Sequence, residues 1–315
     1  MRRGVGGGRS LSTVPPAFIG CPAIGLAPRL KIDSRTSLGW PMPALSNTAA
    51  LVMHWARPLY PSGSAGRYMA ALDLSAAGDL VDTCDGICPW YGEVILNRKH
   101  LIRKWADHWL SEEGNDQAVI LASGVAPLSM ELLDGHRNAR VVEIDTDGMA
   151  QKRCAYQELV PHVMDRIEFL ELDIRSRNLV EDIRSEASWF DPRRPTLVVL
   201  EGITYYISRD DLAAILSGFA GGRNRAVLEY LVPEGAVDED RRAIPAGIFE
   251  AIGKAAGVPS FSRYTKDDIC SLAESIGGSL VDDVPMSRME SVRTGANRFF
   301  SDARSGWIRC AALRL

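Results

Sequence analysis

The sequence predicts an α/β protein built on a doubly wound, mostly parallel sheet of seven strands. Five short apolar runs alternate with helical segments between residues 118 and 231. Such alternation implies right-handed crossovers and a parallel sheet that helices cover on both faces. Two further strand candidates lie near the end of the chain, and the hydrophobic fraction of 46% is sufficient for a packed interior.

The first part of the chain predicts an extension followed by helices. Glycine and proline are frequent near the start, and we expect residues 1–45 to be disordered or loosely packed and residues 46–315 to form one domain. In residues 97–110, Leu101, Trp105 and Trp109 recur at spacings of three to four residues. This spacing builds one apolar face, so an N-terminal helix is expected here.

The alternating region and the segments after it complete the predicted fold. The apolar runs are 118–122, 139–145, 166–174, 196–202 and 225–231, and the helical segments between them are 128–133, 148–160, 178–187 and 209–221. Residues 232–263 carry three prolines around a short apolar helix, which predicts a helical lid insertion. Thr265 is placed as the N-cap of the next helix. Segments 279–286 and 307–315 are expected to close the sheet as an antiparallel edge hairpin.

Composition excludes several classes of function. A formal net charge of -4 offers no basic stripe for nucleic acid. The six cysteines show no two-residue spacing, so no metal site is expected. Nothing approaches the roughly 20 apolar residues of a membrane span. We therefore expect a soluble, cytoplasmic protein with a small-molecule substrate; the sequence leaves the oligomeric state open.

The predicted sheet has its ligand crevice at the carboxyl ends of the strands. After the first strand come Ala122, Ser123 and Gly124. A dinucleotide site needs glycines at the first, third and sixth places of this loop, which here hold Ala122, Gly124 and Pro127. Because Pro127 has no N–H to offer, a diphosphate is disfavoured, whereas an uncharged nucleoside can still approach the one glycine.

Acidic residues follow the next strands and suggest what the nucleoside carries. Asp145 can accept hydrogen bonds from both ribose hydroxyls; the alternative is that it caps the following helix. Asp173 can accept a hydrogen bond from the exocyclic amine of adenine. Glu201 can stand beside a positive charge, and Gly202 lets that group come close to the backbone. S-adenosyl-L-methionine has this shape, and we expect it as the cofactor.

Two tyrosines follow Gly202 closely. Tyr205 and Tyr206 can offer aromatic faces to a sulfonium, a cation–π contact worth about 1–2 kcal/mol in a dry site. Core packing explains either of them equally well.

At this point the chain resembles the leucine carboxyl methyltransferase family, a branch of the class I methyltransferases with a Rossmann-like sheet. The resemblance rests on VILNRKHLIRKWADHWL (94–110), VILASGVAPLS (119–129), VVEIDTDGMAQKR (141–153), ELDIRS (171–176) and WFDPRRPTLVVLEGITYYIS (189–208). It implies Arg98 on the cofactor carboxylate, Gly124 against its backbone, Asp145 on the ribose, Asp173 with Ile174 on the adenine, and Glu201 on the amino or sulfonium end. The chain departs from the family at Ala122, where a glycine is usual, and at Ala126, where an acid is usual.

Three hypotheses of function follow. The first is an O-methyltransferase that acts on a small-molecule carboxyl or hydroxyl group, in secondary metabolism. The alternative is a lyase that cyclises the methionyl part of the cofactor and releases methylthioadenosine, resembling azetidine-carboxylate synthases. The third is a non-catalytic nucleoside-binding protein. Tyr91, Tyr205 and Tyr206 are the candidate catalytic residues.

Overall fold

The structure, a computed structural model, describes residues 45–315 of the chain. The strands in this part are β1 (Gln117–Leu121), β2 (Arg140–Asp145), β3 (Ile167–Glu171), β4 (Thr196–Leu200), β5 (Arg225–Leu231), β6 (Ser279–Pro285) and β7 (Ile308–Arg314). The helices are α1 (Asn47–Ala56), α2 (Gly63–Ala71), α3 (Gly78–Ile87), α4 (Tyr91–Ser111), α5 (Leu128–Gly135), α6 (Met149–Leu159), α7 (Leu179–Glu186), α8 (Arg209–Gly218), α9 (Ala243–Ala256), α10 (Lys266–Ser275) and α11 (Met286–Thr294).

The strands form one seven-stranded sheet in the order β3-β2-β1-β4-β5-β7-β6. The pairs from β3 to β5 are parallel, and β7 runs antiparallel to both β5 and β6. The predicted fold class is therefore confirmed, including the antiparallel pair at the edge. The last strand lies inside the sheet and β6 forms the edge, while α11 connects the two strands in place of a tight turn.

The central strands are buried along their whole length. All five residues of β1 and all five of β4 are buried, as expected of parallel strands with helices on both faces. Their apolar side chains drive the fold because burial removes them from water on both sides of the sheet. Two acids, Glu143 in β2 and Glu229 in β5, are fully buried in the same layer. Each forms an ion pair with a buried cation, Glu143 with Lys152 and Glu229 with Arg98.

The first helix of the described chain packs against the helix of the predicted lid. Ser46 caps α1 by accepting a hydrogen bond from the Ala49 N–H, and Thr265 caps α10 as expected. Helix α9, within the predicted lid, packs against α1 and α3, and α1 in turn packs on α4. Helix α1 therefore contacts both α4 and α9.

Two expectations concern the boundaries of the domain and of its lid. The predicted extension, residues 1–45, lies outside the described residues except for Leu45. The boundaries of the domain and of the lid at 232–263 stay predictions. Among the helices of residues 45–315, none combines the length and the apolar character that crossing a bilayer requires.

Candidate active site

A cavity of about 560 Å³ opens at the carboxyl ends of β1, β2 and β4. Its size lies within the range of roughly 300–1,000 Å³ that is usual for small-molecule sites. The loop 122–126, Asp145 and Glu201 form one side, and α4 forms another. Residues of α1 and α9 cover the top. The cavity is thus a polar strand-end cleft under an apolar helical cover.

The loop after β1 turns through two left-handed residues. Ala122 has a φ of 51° and Gly124 a φ of 49°. The Ser123 N–H donates to the Ile144 carbonyl at 3.0 Å, which fastens the loop to β2. A left-handed conformation costs a residue with a Cβ roughly 1–2 kcal/mol, and glycine avoids this cost. Ala122 therefore holds a strained turn at the position where the family that the sequence resembles usually has glycine.

Asp145 ends β2 beside this loop. Its Oδ2 accepts the Gly124 N–H at 2.7 Å, and its Oδ1 accepts the Thr146 N–H at 2.7 Å. Oδ1 also accepts from the Thr146 hydroxyl at 3.4 Å. A carboxylate has about four lone-pair positions, so Oδ2 can accept a further hydrogen bond. Asp145 also lines the cavity. Its role as the partner of the ribose hydroxyls stays a prediction.

Glu201 follows β4 and is held by two cations of α4. The Lys99 Nζ lies 2.5 Å from its Oε1, and an Nη1 of Arg98 lies 3.8 Å away. Burial alone would raise the pKa of the Glu201 carboxyl, but the charges of Lys99 and Arg98 outweigh it and leave the pKa below its ordinary value. Glu201 is therefore a carboxylate at neutral pH. Only 12% of its side chain is exposed.

Arg98 has a second and closer partner in Glu229. The two side chains form an ion pair in which Arg98 is 2% exposed and Glu229 fully buried. Glu229 Oε1 also accepts the Gly202 N–H at 3.1 Å and the Tyr205 hydroxyl at 3.1 Å. Burial disfavours the charge of Arg98, but Glu229, Tyr205 and Glu201 outweigh this effect and raise its pKa. Glu229 thus holds Gly202 and Tyr205, which follow β4, together with Arg98 of α4.

Sequence reasoning missed Glu229, Lys99, Glu143 and Lys152. One signal was present, because an acid inside an apolar strand such as RAVLEYL or RVVEID is rarely buried without a partner. The partners themselves lie far along the chain, and nothing in the sequence pattern names them.

The three candidate tyrosines all line the cavity. Burial and then the charge of Glu229 raise the pKa of Tyr205 well above its ordinary value, and burial raises the pKa of Tyr206 to about 12. Burial also raises the pKa of Tyr91, whose ring stacks at 6.5 Å on Trp307. At neutral pH each phenol keeps its proton. These residues can donate hydrogen bonds and present aromatic faces, but they do not act as phenolate bases. Their catalytic role stays a prediction.

Asp173 and Ile174 do not line the cavity. Strand β3 ends at Glu171, so both residues lie in the turn beyond it. The Asp173 carboxylate accepts the Arg175 Nε at 3.0 Å and its Nη2 at 2.7 Å, and Ile174 is buried. The structure therefore brings together Arg98, Ala122, Ser123, Gly124, Asp145, Glu201 and Gly202, but leaves the proposed adenine partners outside. Their cofactor role stays a prediction that requires the Arg175 pair to open.

The site contains few residues that can act as a general acid or base. Of the described residues that line the cavity, none is histidine or cysteine. Its two carboxylates are already engaged: Asp145 accepts hydrogen bonds, and Glu201 forms an ion pair with Lys99. Within residues 45–315 no three His, Cys, Asp or Glu side chains converge as metal ligands. The site can bind and align a ligand, and it offers no strong base.

Comparison with known proteins places this geometry in context. Residues 64–220 match the family described as Leucine carboxyl methyltransferase, and every predicted site residue falls in that range. A DUF574 family protein of Streptomyces avermitilis superposes with a TM-score of 0.64 at 14% identity, over 85% of this chain and 97% of that one. A protein of Thermobifida fusca described as a candidate methyltransferase gives 0.62 at 15% identity, over 84% and 93%. At these identities the two structures show a shared fold. A search of curated proteins found no significant match.

Proposed function

On the premise that residues 64–220 belong to the leucine carboxyl methyltransferase family, a family of S-adenosylmethionine-dependent methyltransferases, we propose that this protein is an O-methyltransferase. Its acceptor is a carboxyl or hydroxyl group on a small molecule. The cofactor S-adenosyl-L-methionine supplies an electrophilic methyl group on a sulfonium.

One observation carries the proposal: Gly124, Asp145 and Glu201 line a single cavity at the strand ends. Asp145 retains capacity for ribose hydroxyls. The Gly124 backbone leaves room for a flat nucleoside, because a Cβ built there would meet no atom closer than Asp145 Oδ2 at 4.0 Å. Glu201, a carboxylate at the β4 end, lines the same cavity and can stand beside the cationic end of the cofactor. The residues present fit the group that the family uses.

The cover over this polar side favours an apolar acceptor. Leu51 and Met53 of α1, and Phe249 and Ile252 of α9, line the cavity together with Tyr206. Burying an apolar acceptor against them excludes water, and alignment of the nucleophile about 3 Å from the methyl carbon is then the main demand on the enzyme. We place the lid role of residues 232–263 here, with α9 as its wall.

The lack of a strong base bears on the acceptor. A carboxylate is already ionised at neutral pH and needs no proton removed, whereas a hydroxyl does. A carboxyl acceptor therefore fits the described residues with the fewest assumptions. Neither the cyclising lyase nor the non-catalytic binding protein is favoured by a specific feature of the site, and the family match gives the lyase no support.

Calorimetry with the cofactor and with S-adenosylhomocysteine tests the proposal. The parent protein should bind both, and Asp145→Ala and Glu201→Ala should each weaken binding by about tenfold or more, because each removes hydrogen bonds to a charged group worth about 1.5–3 kcal/mol. Glu186→Ala, which removes an exposed carboxylate at the end of α7, is the matched control and should bind as the parent does. Absence of binding by the parent, or unchanged affinity in both cavity variants, would contradict the assignment. Incubation with the cofactor alone should release no methylthioadenosine.

A further inference from the structure

A buried lysine lies directly behind the loop after β1. Lys152 of α6 is fully buried, and its Nζ donates to the Gly124 carbonyl at 2.9 Å and to the Ala126 carbonyl at 2.8 Å. The same ammonium forms an ion pair with Glu143 of β2, which is also fully buried. The Ser129 hydroxyl donates to the other oxygen of Glu143. The loop is thus tied to the sheet through a charged centre.

This arrangement uses every hydrogen of the lysine. An ammonium has three N–H groups, and here two reach loop carbonyls and one faces a carboxylate. Burial lowers the pKa of Lys152, while the Glu143 charge opposes that effect. A charge buried this deeply is costly unless it is paired and hydrogen-bonded, and this one is both.

The two carbonyl bonds determine where the loop presents its amide groups. In a planar trans peptide the carbonyl and the following N–H point in opposite directions. Because the Gly124 carbonyl points at Lys152, the Val125 N–H points to the other side. Val125 lines the cavity, and its N–H has no hydrogen-bond acceptor within residues 45–315. The lysine therefore leaves this N–H on the side of the loop that faces away from α6.

We propose that Lys152 is a positioning residue for the cofactor: by holding the carbonyls of Gly124 and Ala126, it fixes the loop in the conformation that binds the ligand. Lys152 does not touch the ligand and acts through the loop. The inference rests on the proposed function, because it requires that the cleft bind S-adenosylmethionine. It adds a residue that binds no ligand atom and lies on the opposite side of the loop.

The test separates the loop anchor from the ion pair. The double variant Lys152→Met/Glu143→Gln removes both charges, so that no unpaired buried charge remains, and it should fold with a thermal midpoint near that of the parent. Its affinity for S-adenosylhomocysteine should fall by about tenfold, since the loop carbonyls are released. Glu143→Gln alone keeps the lysine on the carbonyls and should bind within about threefold of the parent.

A matched control uses the neighbouring residue of the same helix. Arg153 pairs with Glu168 of β3 at 2.9 Å, and neither residue lines the cavity. Arg153→Met should leave the affinity unchanged. If the first double variant does not fold, Lys152→Gln/Glu143→Gln takes its place, because its amide can keep only part of the loop contact.

Each outcome has a defined meaning. Parent-like affinity in a folded double variant would overturn the inference and leave the proposed function standing, as would equal losses in Glu143→Gln and the double variant. No binding by the parent would overturn the proposed function, and the inference with it. A purely structural lysine would change the thermal midpoint without changing the affinity of the folded protein.

Discussion

Replacing Glu229 by glutamine should cost the protein a large part of its stability. Glu229 is fully buried and accepts from Arg98, from the Gly202 N–H at 3.1 Å and from the Tyr205 hydroxyl at 3.1 Å. The variant leaves the guanidinium of Arg98, 2% exposed, with only Glu201 at 3.8 Å. An amide of the same shape can still accept one bond, but its NH₂ group competes with the guanidinium as a donor.

The size of the effect follows from these contacts. Breaking one side of a buried ion pair costs about 3–5 kcal/mol. The oxygen that glutamine retains places the expected loss near the lower end, about 3 kcal/mol, out of a total stability that is typically about 5–15 kcal/mol. Urea denaturation followed by fluorescence should show a lower midpoint with an unchanged slope.

Two further variants make this prediction refutable. Glu250→Gln breaks an exposed pair with Lys254, whose side chains are 65% and 75% exposed, and should leave the midpoint unchanged within error. Arg98→Met/Glu229→Gln removes both charges and should recover at least about 1 kcal/mol relative to Glu229→Gln. A Glu229→Gln protein as stable as the parent would show that the buried charge does not hold this region together.

Three other changes should have measurable effects. Ala122→Gly should stabilise the protein by about 0.5–1 kcal/mol in urea denaturation, because relief of the left-handed strain, roughly 1–2 kcal/mol, exceeds the added entropy of the unfolded chain; a less stable variant would mean that the turn is not strained. Glu201→Gln should be less stable than the parent at pH 7. The difference in free energy of unfolding between the two proteins should narrow as the pH falls below about 4, because the folded pKa of Glu201 lies below the unfolded value of roughly 4.3 and the stabilisation is lost on protonation. A difference that does not depend on pH would contradict the ion pair. Gly278→Ala should destabilise by about 1–3 kcal/mol because its Cβ would overlap the Arg314 carbonyl oxygen, whereas Gly235→Ala, with no atom within 4 Å of the new Cβ, should leave the thermal midpoint unchanged.

The order of elements could be predicted because it depends on local patterns. Apolar runs that are too short for helices, and that alternate with segments of helical periodicity, usually form the strands of a parallel sheet. The ends of the predicted strands agree with the structure to within a few residues. The exception with consequences is β3, which ends at Glu171 rather than Ile174. Asp173 therefore lies in an exposed turn and not at a strand end, and its carboxylate pairs with Arg175.

The convergence of Gly124, Asp145 and Glu201 was accessible for a similar reason. Parallel strands place their carboxyl ends on the same edge, so residues far apart in the chain meet once the strands are known. The expectation needed no side-chain contact, only strand direction and adjacency. The strand order β3-β2-β1-β4 then brings these ends together.

The partners of these residues belong to the tertiary structure alone. Arg98 and Glu229 are 131 positions apart in the chain, and Lys152 and Gly124, whose carbonyl it holds, are 28 positions apart. Side-chain pairs of this kind depend on how α4 and α6 are rotated and set against the sheet, and periodicity does not encode this. The chain by itself determined the sheet and the edge where we propose that the ligand binds. Tertiary packing decided which charged side chains pair at that edge and which helices line the cavity there. It also decided that Asp173 lies outside the cavity.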